Sequence, residues 1–131
     1  MKTTYAIALA LLSAVGSAAA IQTLHAQSPS PVYLVTEIDV TNPEAYGTEF
    51  VPKAQAIIKA AGGKMLAVGG IGGAPAKQMI ALDGQAPKRL TIQQWDSTDA
   101  AMKWYRSADY QAALEIGRKY ATFRRYIVEG Q

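Results

Sequence analysis

The chain has 131 residues, with 13 basic and 10 acidic side chains and a formal net charge of +3. This length predicts one domain, and so small a charge gives no indication of nucleic-acid binding. The chain has no cysteine and one histidine, His25. Disulfides and thiolate chemistry are therefore excluded, and a domain that begins after His25 has no Ser-His pair and no ordinary zinc or haem ligands. We expect no metal site and no cofactor.

The N-terminus has the layout of a secretory signal peptide. Lys2 precedes an apolar run over residues 5–15, and small residues follow at 17–20. The run is shorter than the roughly 20 apolar residues that a membrane-spanning helix needs. We expect cleavage after Ala20 or Ala26, with an uncleaved N-terminal anchor as the alternative. The protein would then be exported, to the periplasm in a bacterium with two membranes and otherwise to the extracellular space.

A short linker separates this leader from the rest. Residues 27–31, QSPSP, are polar and proline-rich, so residues 1–26 form the leader and residues 32–131 the folded domain. A domain of about 100 residues can form one modest core, and a symmetric partner would stabilise it further. We therefore expect a homodimer that touches a membrane only through an uncleaved leader.

The first half of the domain predicts a strand, a helix and a second strand. The stretch PVYLVTEIDV is typical of a strand, with an even-numbered core face and an odd-numbered mixed face that carries Glu37. Asn42 can cap a helix that has Pro43 in its first turn. Pro52 is expected to kink or restart this helix, and Gly62–Gly63 to end it before the strand KMLAVGG.

The second half repeats this order after a loop. GGIGGAP predicts a flexible loop, because it completes neither a dinucleotide nor a P-loop motif. Met79–Leu82 is expected to form a short strand or a hairpin arm. RLTIQQWD predicts a strand that has Gln93 and Trp95 on one face. Ser97 and Ser107 can each cap a helix, and FRRYIVEG predicts the last strand.

This order predicts an α+β fold with the ferredoxin-like βαββαβ layout. We expect an antiparallel four-stranded sheet with its helices on one face. The mixed face would carry Glu37, Gln93 and Trp95, and an uncovered face of this kind indicates an interface or a groove. Two such faces would pair in a dimeric α/β barrel that encloses a cavity.

Four stretches resemble the bacterial family called domain of unknown function 1330 (DUF1330): VTEIDVTNPEAY, IIKAAGGKMLAVGG, KRLTIQQWDSTDAAMKWYRSADYQ and YIVEG. The most specific is WYRSADYQ at 104–111, where the family has Trp-Tyr-x-Ser-Pro-Glu-Tyr-Gln and this chain has Ala108 and Asp109. The resemblance implies a dimeric α/β barrel. That superfamily includes cofactor-free monooxygenases, lactone isomerases and haem enzymes, and the missing histidine speaks against the haem branch.

The candidate ligand-binding residues are Glu37, Gln93, Trp95, Tyr105 and Tyr110. The two tyrosines could form an aromatic wall for a planar ligand, whereas Trp104 is expected in the core. Glu37 is a weak candidate for a catalytic base if it is buried. Its alternative is an ion pair with a cation such as Arg125.

Two functions stay open. The first is binding of a small planar or apolar molecule in a dimer-interface cavity, with a cofactor-free monooxygenase- or isomerase-like enzyme as a variant. The second is a non-catalytic envelope protein whose dimer interface is the purpose of the mixed face. A cavity of roughly several hundred Å³ with converging polar groups would favour the first function.

Overall fold

The computed structural model describes residues 30–74 and 76–131. The predicted signal peptide, residues 1–26, lies outside the described residues, as does most of the linker. The elements in chain order are β1 (Val32–Val40), α1 (Pro43–Ala45), a π-helical segment (Tyr46–Phe50), α2 (Val51–Ala60), β2 (Lys64–Gly70), β3 (Arg89–Trp95), α3 (Thr98–Arg106), α4 (Ala108–Arg118) and β4 (Ala121–Glu129). None of these helices has the length and apolar character needed to cross a membrane.

The four strands form one antiparallel sheet in the order β2-β3-β1-β4. This is the ferredoxin-like arrangement that the sequence predicts, with the first strand of each half in the centre of the sheet. The core joins alternate strand residues, such as Leu34 and Val40, to helix residues such as Phe50, Trp104 and Leu114. The helices therefore cover one face of the sheet, and we call the other face the open face.

The strand register decides which side chains lie under the helices. Burial alternates along β1, so that its even-numbered residues are buried. Leu34 lies opposite Gln93 on β3 and opposite Ile127 on β4. The odd-numbered residues of β3 and β4 therefore share the helix-covered face with the even-numbered residues of β1.

This register corrects one sequence prediction. Gln93 and Trp95 were expected on the mixed face with Glu37, but they are 4 % and 1 % exposed and lie beneath the helices. Glu37 has the opposite parity on β1 and lies on the open face. Alternation within one strand separates two faces, but only the register says which faces of neighbouring strands coincide.

The first helical region begins and breaks where the sequence predicts. The Asn42 side chain accepts a hydrogen bond from the Ala45 amide at 3.2 Å, which caps α1. Pro52 has no N–H and lies in the first turn of α2, so the preceding turn is rearranged. There the Val51 N–H donates to the Tyr46 carbonyl, the wider spacing of a π-helix. This turn carries the Tyr46 side chain into the buried core.

Ser107 joins the second pair of helices. Its hydroxyl donates to the Trp104 carbonyl at 2.7 Å and accepts from the Tyr110 amide at 3.3 Å. One side chain thus ends α3 and begins α4. The turn brings the Trp104 and Tyr110 rings to 4.1 Å between centroids, so the two helices are packed together at the point where the chain changes direction.

The loop between β2 and β3 differs from expectation. Met79–Leu82 forms no strand, and an isolated bridge between Lys77 and Gly69 joins the preceding residues to the sheet edge. Ile80 and Leu82 are 70 % and 91 % exposed. Their apolar character suggested a strand, but no strand of the described residues pairs with them.

Candidate functional site

A small pocket lies between the helix-covered face of the sheet and the helices. Its volume is about 40 Å³. A water molecule needs roughly 10–15 Å³ of such space, so this inner pocket has room for a few waters or one small polar group. The polar side chains on its walls are Thr36, Tyr46, Gln55, Arg89, Thr91, Gln93, Tyr110 and Arg125.

Arg89 is a buried charge in this inner pocket. It is 3 % exposed, and its Nη1 donates to the carbonyls of Ile71 and Gly73, each at 3.2 Å. The Tyr46 ring centroid lies 5.7 Å from the guanidinium carbon. Among the described residues, the buried side-chain atoms without a hydrogen-bond partner are Arg89 Nε and Trp104 Nε1. Burying a cation without a carboxylate partner costs free energy, so the burial of Arg89 needs a physical reason.

Arg125 is the second cation, and it is half-buried. Its Nη2 donates to the Tyr110 hydroxyl at 2.6 Å. Its guanidinium carbon lies 4.3 Å from the Phe123 ring centroid and 5.7 Å from those of Tyr105 and Tyr110. Three aromatic faces therefore surround the cation, and none of the described residues that line the pocket is acidic.

Burial sets the protonation states in the pocket. It raises the pKa of Tyr46 to about 12, although the Arg89 charge opposes the rise. It also raises the pKa of Tyr110, against the opposing charge of Arg125. Burial lowers the pKa of Arg89, but an arginine in a protein keeps its charge. At neutral pH the pocket thus offers two cations and two neutral phenols, and none of its described lining side chains can act as a base.

A wider recess lies beside the inner pocket. We call it the outer cleft; its volume is about 570 Å³, and it is lined by Tyr105, Arg118, Ala121, Thr122, Phe123 and Arg125. Phe123 and Arg125 line both spaces. Arg125 therefore lies between a small buried pocket and a larger exposed cleft.

Three of the five predicted site residues line one of these spaces. Gln93 and Tyr110 line the inner pocket, and Tyr105 lines the outer cleft. Trp95 belongs to the core beside them, where its Nε1 donates to Gln93 Oε1 at 3.0 Å and its ring lies 5.2 Å from that of Trp104. Trp104 is 2 % exposed and is a core residue, as predicted.

Glu37 is separate from this group. It lies on the open face, where its Oε2 accepts from Arg124 Nε at 3.3 Å and from the Tyr126 hydroxyl at 3.1 Å. The prediction that Glu37 shares a site with Gln93 and Tyr110 is wrong, because the sheet lies between them. The alternative, an ion pair, is correct, but its partner is Arg124 and not Arg125.

Sequence reasoning missed Tyr46 and Arg89 as pocket residues. No signal in the sequence separates Tyr46 from the core residues of its helix. Arg89 has the same strand parity as Gln93, which was the available signal. In the described part of the chain, no group of three or more His, Cys, Asp or Glu side chains could hold a metal ion.

The fold and the pocket define a ferredoxin-like α+β protein with a cationic pocket beneath its helices. Residues 31–131 match the family described as domain of unknown function (DUF1330), and the chain belongs to this family. The resemblance seen in the sequence is thereby confirmed. No match is found among curated proteins.

Two solved structures show how widely the fold is shared. RPA0582, a protein of unknown function from Rhodopseudomonas palustris, is 14 % identical with a TM-score of 0.55, over 86 % of this chain and 92 % of that chain. SnoaB, a cofactor-independent oxygenase from Streptomyces nogalater, is 12 % identical with a TM-score of 0.56, over 78 % of this chain and 94 % of that chain. At these identities the likeness concerns the fold alone.

The raised pKa of Tyr46 predicts a loss of stability at alkaline pH. The folded state holds the phenol proton up to about pH 12, whereas the unfolded chain releases it near pH 10.0. The contribution is thus complete below pH 10 and is lost as the pH rises toward 12, on the order of 2 kcal/mol in total. Denaturant unfolding of wild type and Tyr46→Phe between pH 8 and 12 should show a shallower decline in the variant.

The matched control is Tyr126→Phe, which removes a hydroxyl from a ring that is 48 % exposed. Because Tyr46 is intact in this variant, the variant should keep the alkaline decline in unfolding free energy that Tyr46 causes. Equal slopes for wild type and Tyr46→Phe would contradict the prediction.

Proposed function

We propose that this protein binds a small organic molecule, with one end in the inner pocket and the body in the outer cleft. The observation that carries the proposal is Arg89, a buried cation whose Nε has no hydrogen-bond partner among the described residues and whose pocket has no acidic side chain among them. Ligand sites span roughly 300–1,000 Å³. The outer cleft lies in that range, whereas the inner pocket takes only a single functional group.

This proposal places the ligand within one protomer and not in a cavity between two open faces. Gln93, Tyr105 and Tyr110 support it, because they line the pocket or the cleft on the helix-covered side. Glu37, the residue that pointed to a cavity at the open face, is engaged by Arg124.

The chemistry of the pocket favours binding over base catalysis. An enzyme that activates a neutral substrate by deprotonation needs a base whose pKa is near the working pH. The described pocket has no carboxylate and no imidazole, and Tyr46 keeps its proton up to about pH 12. A cofactor-free, oxygenase-like activity is the second candidate, restricted to substrates that arrive as anions, because the two arginines would stabilise such an anion.

Filling the inner pocket should abolish binding. Ala54 is buried on its wall, so Ala54→Leu places extra carbon atoms in a space of about 40 Å³. Native mass spectrometry of protein purified from its own host should detect a retained small molecule in wild type and at least roughly tenfold less in Ala54→Leu. Circular dichroism would check that the variant is folded, and Ala54→Val is the milder substitution if it is not.

The matched control is Ala56→Leu, an exposed position on the same helix. It should retain as much ligand as wild type. A wild-type protein that carries no small molecule, or an Ala54→Leu protein that retains it fully, would contradict the proposed site.

The open face supports a second proposal, a homodimer. Tyr126 and Val128 are 48 % and 53 % exposed, and the register places them beside Val35 and Tyr33. These side chains form an apolar strip across β1 and the edge strand β4, and such strips on a small domain indicate an interface. Because both copies carry the same strip, it can pair with itself about a two-fold axis.

A charge in this strip should prevent pairing. We expect wild type to have the mass of two chains in light scattering after gel filtration, and Val128→Asp to have the mass of one, since an unpaired carboxylate in an apolar interface is unfavourable. Ala112→Asp adds the same charge at an exposed position on α4 and should leave the dimer intact. A monomeric wild type, or a dimeric Val128→Asp, would count against this interface.

We further propose that the protein acts outside the cytoplasm. The support is the leader sequence of residues 1–26, with its basic start, apolar run and small residues before the expected cut. Intact-mass measurement on protein from the native host should give a chain that begins at Ile21 or Gln27. A chain expressed without residues 1–26 should stay in the cytoplasm. A full-length mass in the exported fraction would rule out cleavage.

A further inference from the structure

We propose that the ligand of this protein is an organic acid with an aromatic or apolar body, whose carboxylate enters the inner pocket between Arg89 and Arg125. This inference rests on the proposed binding function and specifies its ligand. It depends on four features of the pocket and the cleft: charge, hydrogen bonding, size and lining.

The first feature is an unbalanced positive charge. Both ion pairs found among the described residues use Arg124, which binds Glu37 and Asp39 on the open face. Within residues 30–74 and 76–131, Arg89 and Arg125 have no acidic partner, and no acidic residue lines the pocket that holds them. The sheet separates these two cations from the carboxylates on the other side. An anion from outside the chain would supply the missing charge.

The second feature is a surplus of hydrogen-bond donors. Arg89 Nη1 already donates to two carbonyls, whereas its buried Nε has no partner in the described part of the chain. The Tyr110 hydroxyl accepts from Arg125, so its own proton can be donated to another acceptor. A carboxylate accepts several hydrogen bonds and donates none. It therefore matches a pocket that presents donors, whereas an amine does not.

The third feature is size. The inner pocket of about 40 Å³ holds a few waters, which suits a carboxylate and excludes a whole aromatic ligand. Arg125 and Phe123 belong to both the pocket and the outer cleft, so a molecule held by its acid group would extend past them into the cleft.

The fourth feature is the lining of the outer cleft. Tyr105 and Phe123 present aromatic surface there, and Ala121 adds an apolar side chain. Inorganic phosphate could satisfy the arginines but would leave this surface uncovered. An acid with an aromatic or apolar body covers it, which favours an organic acid as the occupant.

The test compares acids with their uncharged amides. Isothermal titration of wild type with benzoate, benzamide, phenylacetate, phenylacetamide and inorganic phosphate separates charge from shape. We expect each acid to bind at least about tenfold more tightly than its amide, because charge-assisted hydrogen bonds to arginine are the stronger kind. We also expect each acid to bind more tightly than phosphate.

Three variants locate the effect. Arg89→Gln and Arg125→Gln should each reduce the affinity for the acids at least about tenfold and change that for the amides little. Arg124→Gln is the matched control, since it removes the neighbouring charge on β4 whose side chain faces away from the pocket. It should bind the acids as wild type does. If Arg89→Gln does not fold, the comparison of Arg125→Gln with Arg124→Gln still tests whether the acids bind at the inner pocket.

The outcomes separate the inference from the function on which it rests. Equal affinity for acids and amides would overturn the preference for an anion and leave small-molecule binding standing. Tighter binding of phosphate than of any acid would overturn the organic ligand. If neither acids nor amides bind, the inference fails. The proposed function is then tested separately by native mass spectrometry, and it stands if Ala56→Leu retains a small molecule that Ala54→Leu loses.

Discussion

The register of β1 against its two neighbours is the constraint on which this molecule depends. With Leu34 opposite Gln93 and Ile127, the odd-numbered residues of β3 and β4 lie beneath the helices. A shift of β3 and β4 by one residue against β1 would place Arg89 and Arg125 on the same face of the sheet as Glu37. The polar pocket, the open-face ion pairs and the apolar strip all follow from this alignment.

Two backbone segments come unusually close together next to Arg89. A Cβ atom added to Gly47 in the π-helical segment would lie 2.9 Å from the Cα of Gly73 in the glycine-rich loop. The same loop supplies the carbonyls of Ile71 and Gly73 that hold Arg89. The glycine-rich loop completes no phosphate-binding motif. Its glycines instead allow two backbone segments to pack closely, and its carbonyls accept hydrogen bonds from the buried Arg89 guanidinium.

The sequence predicted much of this fold for local reasons. The Asn42 cap, the break at Pro52 and the Ser107 cap of α4 each depend on hydrogen bonds or steric limits within a few residues. These constraints can be read from a short stretch of sequence. The alternation of β3 was also read correctly within the strand, with Gln93 and Trp95 on one side.

The candidate site was less predictable, because it depends on contacts between distant parts of the chain. Alternation predicts that Glu37 shares a face with Gln93, and only strand pairing over more than 50 residues shows otherwise. The same holds for Arg89, whose carbonyl partners lie 16 and 18 residues away in an irregular loop. A charged residue at a strand end is ordinarily exposed, so neither the residue type nor the position of Arg89 predicts that it lies under the helices.

Strand β4 shows how one short segment can serve two surfaces. Arg124 and Arg125 are adjacent, and alternation sends them to opposite sides of the sheet. Arg124 is neutralised by Glu37 and Asp39, so the open face carries its own counter-charges beside the apolar strip and can be buried against a second copy. Arg125 has aromatic rings and a phenol but no carboxylate. Carboxylates thus accompany the arginine on the face proposed to pair, whereas no described carboxylate accompanies the arginine on the face proposed to bind. This is the distribution expected when the missing anion belongs to a ligand.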